Sequence, residues 1–329
     1  MADDPRRTDA GPDSLTILAF LAVTLLGGTN AIAVQLTVLE LAPLWSAAIR
    51  FLAAAVLMIA LAVVTRRSLP RGRSLWGTAL YGLFGFTAAY GLGYTAIQDV
   101  PAGTLMVLVS LTPLFTFGLA IAHGQEEFHI QGLVGAVVAV IGIGIVFVDQ
   151  LSADVPLLSL LLVILMAAAI AEAGVIVKWI PKSDPFATNG AAMLIGGLLL
   201  AVLSIVTSEP RAMPARTDTW IAMLYLVLLG SVAMFGLYVF ALRRWTASAV
   251  SYVTLLMPVV TIVLAAALTG EQITASFVLG SAVIIGGVYV GAFLTRRPKR
   301  STASSLPECL PTEDCGDEAL VPRGAAPAD

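Results

Sequence analysis

Shifted by 145 residues, the chain aligns with itself, and the repeated unit holds five apolar segments. The stretch VPAGTLMVLVSLTPLFTFGLAIAHGQEEFHIQGLVGAVVAVIGIGIVFV returns as WTASAVSYVTLLMPVVTIVLAAALTGEQITASFVLGSAVIIGGVYVGAF, placing Pro113 on Pro258, Thr116 on Thr261, Glu126 on Glu271, Gly135 on Gly280 and Gly142 on Gly287. Residues 79–148 give 17 identities in 70 ungapped positions. Abundant Ala, Leu and Val inflate chance identity, so the proline, the glutamate and the glycines carry the weight. A duplicated unit with an odd number of spans must lie in a bilayer in two opposite orientations. Folds built this way place a solute site at mid-membrane between the halves.

Composition points to a membrane independently: 58% of residues are apolar, 12% are charged and the mean hydropathy is +0.93, outside the range of soluble domains. Ten stretches can cross about 30 Å of hydrocarbon as helices: roughly 15–38, 41–64, 75–97, 101–122, 130–149, 157–179, 184–206, 219–242, 246–268 and 275–295. A transmembrane β-barrel would instead alternate apolar and polar residues in segments of about ten. The expected fold is therefore an all-α polytopic membrane protein, ten transmembrane helices forming two inverted five-helix repeats around a central cavity. Its parts are a lead (1–14), a first repeat (15–149), a second repeat (150–295) and a disordered tail (296–329).

Orientation follows from the basic residues, which concentrate in short cytoplasmic loops. With the N-terminus inside, the inner segments carry 14 Lys and Arg residues, while the outer loops carry only Arg211 and Arg216. Both termini are thus expected in the cytoplasm, with the Glu126 loop inside and the Glu271 loop outside. The lead MADDPRRTDAGPDS is mixed in charge and runs into a segment too long for a signal-peptide core. Cys309 and Cys315 lie in the Pro/Ser/Asp/Glu-rich tail, where reduced thiols are expected. The run LVPRG, Leu320 to Gly324, matches the core of a protease-cleavage tag and is set aside.

Ionisable residues inside a bilayer are expensive, and each is a functional candidate. Arg50, about nine residues into the second span, either ties helices together through carbonyls or a carboxylate, or meets the solute. Glu172, about fifteen residues into the sixth span, suits substrate or proton binding, pairing with a cation, or exposure to an inner vestibule. Asn30 follows the Gly27-Gly28 pair, where a helix can bend or be closely approached, and an uncharged amide there could recognise a zwitterion. Pro113 and Pro258 each remove a backbone donor mid-span and kink the helix, for packing or to line a cavity.

Phe86, Tyr90 and Tyr94 stand at i, i+4 and i+8 of the third span among small residues, so their rings can pack or form a cavity wall. Phe235 occupies the shifted position of Tyr90, and Tyr252 and Met257 approach the middle of the ninth span. Rings plus methionine make an adaptable surface for aromatic or mixed apolar ligands. The candidate substrate contacts are Asn30, Phe86, Tyr90, Ser110, Glu172, Tyr252 and Met257. Gly27, Gly28, Pro113 and Pro258 are gating or kink positions, and Arg50 is a structural intramembrane charge. Trp45, Trp76, Trp179, Trp220 and Trp245 fall near span ends as an interfacial belt. The fifth and tenth spans carry glycines and almost no polar side chains, a scaffold packing on itself or on a second subunit, in a monomer or a weak homodimer.

No Walker loop, GxSxG elbow or HExxH helix occurs, so the chain does not read as an enzyme or an ATP-driven pump. His123 and His129 flank Gln-Glu-Glu in an inner loop and read as solvated residues rather than a metal site. No cofactor, metal or nucleic acid is expected, and the partners are a small molecule and membrane lipid.

The chain resembles the ten-helix exporters of the drug/metabolite transporter superfamily, with EamA-type halves. The resemblance rests on GGTNAIAVQ, Arg50, VPAG, Pro113, GQEEFHIQGLVGAVVAVIGI and its echo GEQITASFVLGSAVIIGGVYV, and covers residues 15–295. The Trp-Gly pair frequent in the first span of such proteins is Gly27-Gly28 here. Within the superfamily the likeness is to aromatic amino acid exporters of the YddG type. It implies alternating-access export of amino acids, aromatic or otherwise apolar, and related metabolites across a bacterial inner membrane, with the fifth and tenth spans outside the cavity. A channel, a scramblase-like bundle, or an exporter of a different metabolite or drug remains open.

Overall fold

Hydrocarbon offers no water to bond a peptide group, so a long apolar run can cross only as a self-satisfied helix or a closed barrel. The computed structural model describes residues 12–96, 99–100, 102–148, 155–181, 184–269 and 274–294, and these are helical and connecting segments without a strand. The tail with Cys309 and Cys315, Lys182, Glu271 and the Tyr94 side chain lie outside the described residues.

The first half comprises α1 (Ser14–Val38), α2 (Pro43–Val64), α3 (Arg73–Gly82), a π-helical segment (Leu83–Ala88), α4 (Ala89–Ala96), α5 (Ala102–Val109), α6 (Thr112–Ala122) and α7 (Ile130–Val146). The second comprises α8 (Leu157–Trp179), α9 (Pro185–Val206), α10 (Thr217–Val227), a π segment (Leu228–Ala233), α11 (Met234–Arg244), α12 (Ala247–Ser251), α13 (Val253–Thr269), α14 (Ala275–Val288) and a third π segment (Tyr289–Phe293). Among the described residues, eight helical stretches are long and apolar enough to cross a membrane. The fifth expected span, Ile130–Val146, is a shorter apolar helix. The third is not a plain α-helix but α3, a π turn and α4, in a sequence diluted by Gly, Thr and Tyr.

Packing repeats when the halves are exchanged. α1 packs on α10, α11 and α13, as α8 packs on α3, α4 and α6; α2 packs on α9, and α7 on α14. The α7–α14 crossing is close because glycines face backbone. A Cβ at Gly287 would come within 2.6 Å of Ala139 N, and one at Gly280 within 2.7 Å of Gly142 O.

Polar straps gather at the two ends of the bundle. At one end Asp13 holds Arg244 at 3.0 Å, Arg67 meets Asp184 at 3.7 Å, and Arg73 lies over the Trp179 ring at 4.7 Å. Glu126 there accepts from Ser248 N at 3.1 Å and from the Ser248 hydroxyl, capping the start of α12. At the other end Glu209 accepts from Leu44 N and Trp45 N at 3.2 and 3.0 Å, capping α2. Glu40 similarly accepts from Ala215 N at 2.6 Å and Arg216 N at 3.3 Å.

Candidate solute site

The helical stretch Thr217–Arg244, the eighth expected span, turns polar at its π segment. A π turn shifts the hydrogen-bond register by one residue and is frequent at functional sites. Met234 N, which an α-helix would direct to Gly230, bonds instead to Leu229 O and Ser231 O. The Gly230 carbonyl is thereby available to side chains. Arg50, 2% exposed, donates to it from its terminal nitrogen at 2.8 Å and from Nε to Ser231 Oγ at 2.8 Å. Asn30, 8% exposed, donates Nδ2 to the same carbonyl at 3.3 Å and approaches Met234 Sδ at 3.8 Å. A Cβ at Gly230 would fall inside contact distance of Asn30 Oδ1, so any side chain there displaces the Asn30 amide.

Two valences in this cluster are open. Arg50 has five N–H donors, of which these bonds use two, and among the described residues it has no carboxylate partner. Asn30 Oδ1 is buried and has no hydrogen-bond partner among the described residues. An unmatched cation at the centre of a span costs about 3 kcal/mol on insertion scales. A set of guanidinium donors beside an amide acceptor is complementary to a carboxylate beside an ammonium.

Rings adjoin this polar patch. The Arg50 guanidinium lies 5.0 Å from the Phe51 ring and 5.8 Å from the Tyr90 ring. Phe51 is the hub of the cluster, edge-on to Phe86 at 4.9 Å, Tyr90 at 4.7 Å and Phe235 at 6.4 Å; Phe86 in turn meets Tyr81 at 5.3 Å. Phe86 is fully buried, whereas Tyr90 and Phe235 are partly exposed. Below the rings, Tyr81 donates to Asn189 Oδ1 at 3.0 Å, and Asn189 donates to Phe235 O at 2.9 Å.

The other sequence candidates are placed apart from this cluster. Glu172 lies near the end of α8 with His123 Nε2 3.5 Å away, so the loop histidine is its partner. Gln125 in the same loop donates to Val175 O at 3.0 Å. Tyr252 is buried, its hydroxyl donating to Gly132 O at 2.9 Å against Gly291. Ser110, also buried, bonds its own helix at Val107 O, 2.5 Å away, beside the break between α5 and α6. Pro113 stands in the first turn of α6, whereas Pro258 is carried inside α13. α1 runs unbroken through Gly27-Gly28, where Met257 fills the notch at Gly27 and Thr261 donates to Gly28 O at 2.8 Å.

Sequence reasoning missed the π segments, Phe51, Asn189 and the pairing of Arg50 with Gly230. The signals were an amide in the seventh span and Gly85 falling on Gly230 within the repeat. Among the described residues, no group of three or more His, Cys, Asp or Glu could hold a metal ion.

The family model described as the EamA-like transporter family matches the chain twice, over residues 14–148 and 157–292. A chloroplastic WAT1-related protein of Arabidopsis thaliana is 28% identical over 81% of this chain, which spans 66% of that relative's length. The "Uncharacterized inner membrane transporter YedA" of Escherichia coli K12 is 26% identical, covering 82% of this chain and 88% of its own. A "Probable amino-acid metabolite efflux pump" of the same strain is 25% identical, over 84% of this chain and 94% of its own. A solved crystal structure, 18% identical, shares the fold with a TM-score of 0.76 over 85% of this chain and 97% of that one.

Proposed function

The chain belongs to the EamA-like transporter family, and we propose that it exports amino acids, aromatic ones foremost, by alternating access around the Arg50–Asn30 cluster. The carrying observation is the pair of valences left open among the described residues: a buried guanidinium without a carboxylate, beside a buried amide oxygen without a donor. The solute's carboxylate binds the free Arg50 donors, its α-ammonium donates to Asn30 Oδ1, and its side chain lies against Tyr90 and Phe235. Arg50, a structural charge on the sequence reading, becomes a solute-binding residue on this one. The relative named as an amino-acid metabolite efflux pump supports the solute class, and the aromatic cluster supports the likeness to exporters of the YddG type.

This reading retains ten spans as two inverted five-helix halves, residues 15–149 and 150–295. The end bearing Arg67, Arg73 and Arg244 faces the cytoplasm, following the distribution of basic residues. With no nucleotide motif in the sequence, a gradient or the solute's own concentration drives transport.

Counterflow of labelled Phe in proteoliposomes tests the site. Wild type should show saturable uptake competed by Phe and Trp, and only weakly by phenethylamine, which lacks the carboxylate. Arg50→Met should weaken Phe binding about tenfold or more, the worth of one charged hydrogen bond or two, and leave phenethylamine unchanged. Equal competition by Phe and phenethylamine in wild type, or unsaturable flux of many solutes, would sink the proposal.

A further inference from the structure

Towards the end that carries Glu40 and Glu209, α1, α10 and Leu264 of α13 bound a groove of about 490 Å³. Its walls are carbon, from Ile32, Ala33 and Leu36 on one side and Ile221 and Ala222 on the other. Its floor is a hydroxyl pair, Thr29 with Tyr225, bonded to each other. At its mouth stands Asp218, with the Arg216 guanidinium 3.2 Å from the carboxylate. A second hollow of about 340 Å³ adjoins it, sharing Ile32 and Leu36 and adding Val38 and Leu39. The two hollows thus flank one i, i+4 ridge on α1.

We propose that this double hollow is a specific site for a glycerophospholipid whose headgroup carries a phosphate and a primary ammonium. Leu36 is 44% and Ile221 63% exposed on spanning helices, so the occupant comes from the bilayer. Two carbon-lined hollows on either side of one ridge suit the two acyl chains of one lipid. From Thr29 to Leu36 the main groove runs about 10 Å along α1, and its hydroxyl floor ends the apolar path. Arg216 and Asp218 present opposite charges side by side, each about two-thirds exposed, which matches a zwitterion rather than an anion. The phosphate sits at Arg216 and the ammonium donates to Asp218. A quaternary ammonium has no N–H to donate there, and an anionic headgroup meets the Asp218 charge unfavourably.

The full chain in detergent micelles, titrated with dioleoyl phosphatidylethanolamine, phosphatidylcholine or phosphatidylglycerol, tests this by thermal unfolding and by native mass spectrometry of retained lipid. A ligand that binds only the folded state raises Tm by mass action, so phosphatidylethanolamine should raise it by about 2 °C or more beyond phosphatidylcholine, with phosphatidylglycerol lowest. Asp218→Asn, an exposed change, should erase the difference between the two zwitterionic lipids. Asp13→Asn, at the opposite end, should leave it intact. Equal shifts from all three lipids in wild type, or a preference that survives in Asp218→Asn, would overturn the site. Neither result bears on Arg50.

Discussion

The π segments of the third and eighth spans share one backbone device but differ in chemistry. In the third, Ala89 N bonds Phe84 O and Phe86 O; in the eighth, Met234 N bonds Leu229 O and Ser231 O, each atom displaced by 145 residues. Around Gly85 the neighbours are the Tyr81 ring and Ala173, whereas around Gly230 they are Asn30, Arg50 and Ser231. Duplication has kept the slip in register, and divergence has made one copy a carbon wall and the other a polar cradle. A solute that is both charged and aromatic needs such an asymmetry, because two identical walls could satisfy only one of its ends.

The largest effect should come from filling the two glycines in turn. At Gly230 a methyl collides with the Asn30 amide, while at Gly85 it approaches Tyr81 Cε2 at 3.0 Å and Ala173 Cβ at 3.2 Å, contacts that a small shift relieves. Gly230→Ala should therefore lower stability by about 1–3 kcal/mol, as overpacking does, and reduce Phe counterflow by two orders of magnitude or more. Gly85→Ala should keep most of the transport. Similar losses of counterflow and Tm from both variants would show that the two π turns are equivalent and that the polar neighbours are incidental.

The helical class and the duplicated unit were legible in the sequence, because span length and residue identity act locally. Arg50 stands out through the energetic penalty on buried charge, and Asn30 as an amide just after Gly27-Gly28. Their meeting point does not, since Gly230 is marked out among the chain's many glycines by what α2 and α1 place against its carbonyl. The Phe86–Tyr90 spacing brings both rings onto Phe51, at 4.9 and 4.7 Å, with Phe86 sealed and Tyr90 partly exposed. Glu172 drew attention as a lone intramembrane carboxylate, and its partner His123 lies 49 positions away in a loop that sequence alone reads as solvated.

That contact sharpens the comparison at a second place. The repeat puts Leu268 opposite His123 and Gly27 opposite Glu172, so the halves again differ in charge where they correspond in position. If the pair helps close that end of the bundle, Glu172→Gln and His123→Gln should each change counterflow a few-fold, and the double variant should do no more than either alone. Additive losses, or full transport in Glu172→Gln, would remove Glu172 from any coupling role.

The smallest effect concerns the straps at the two ends. The Thr219 hydroxyl and the Ala215 and Arg216 N–H groups hold the Glu40 carboxyl below its usual 4.5, as the Thr16 hydroxyl and Arg244 hold Asp13 below 3.8. A carboxylate whose pKa is lowered on folding contributes stability above its unfolded value, and that contribution is lost as pH falls through the folded value. Tm should therefore decline slightly as pH drops from about 6 to below 4, with Glu40→Gln and Asp13→Asn each removing part of that decline. The two straps serve opposite ends and share no residue, so the double variant should remove the sum of the two parts. A double variant no flatter than either single one would mean that the ends open together, making the bundle a single acid-sensitive unit rather than two independently strapped ends.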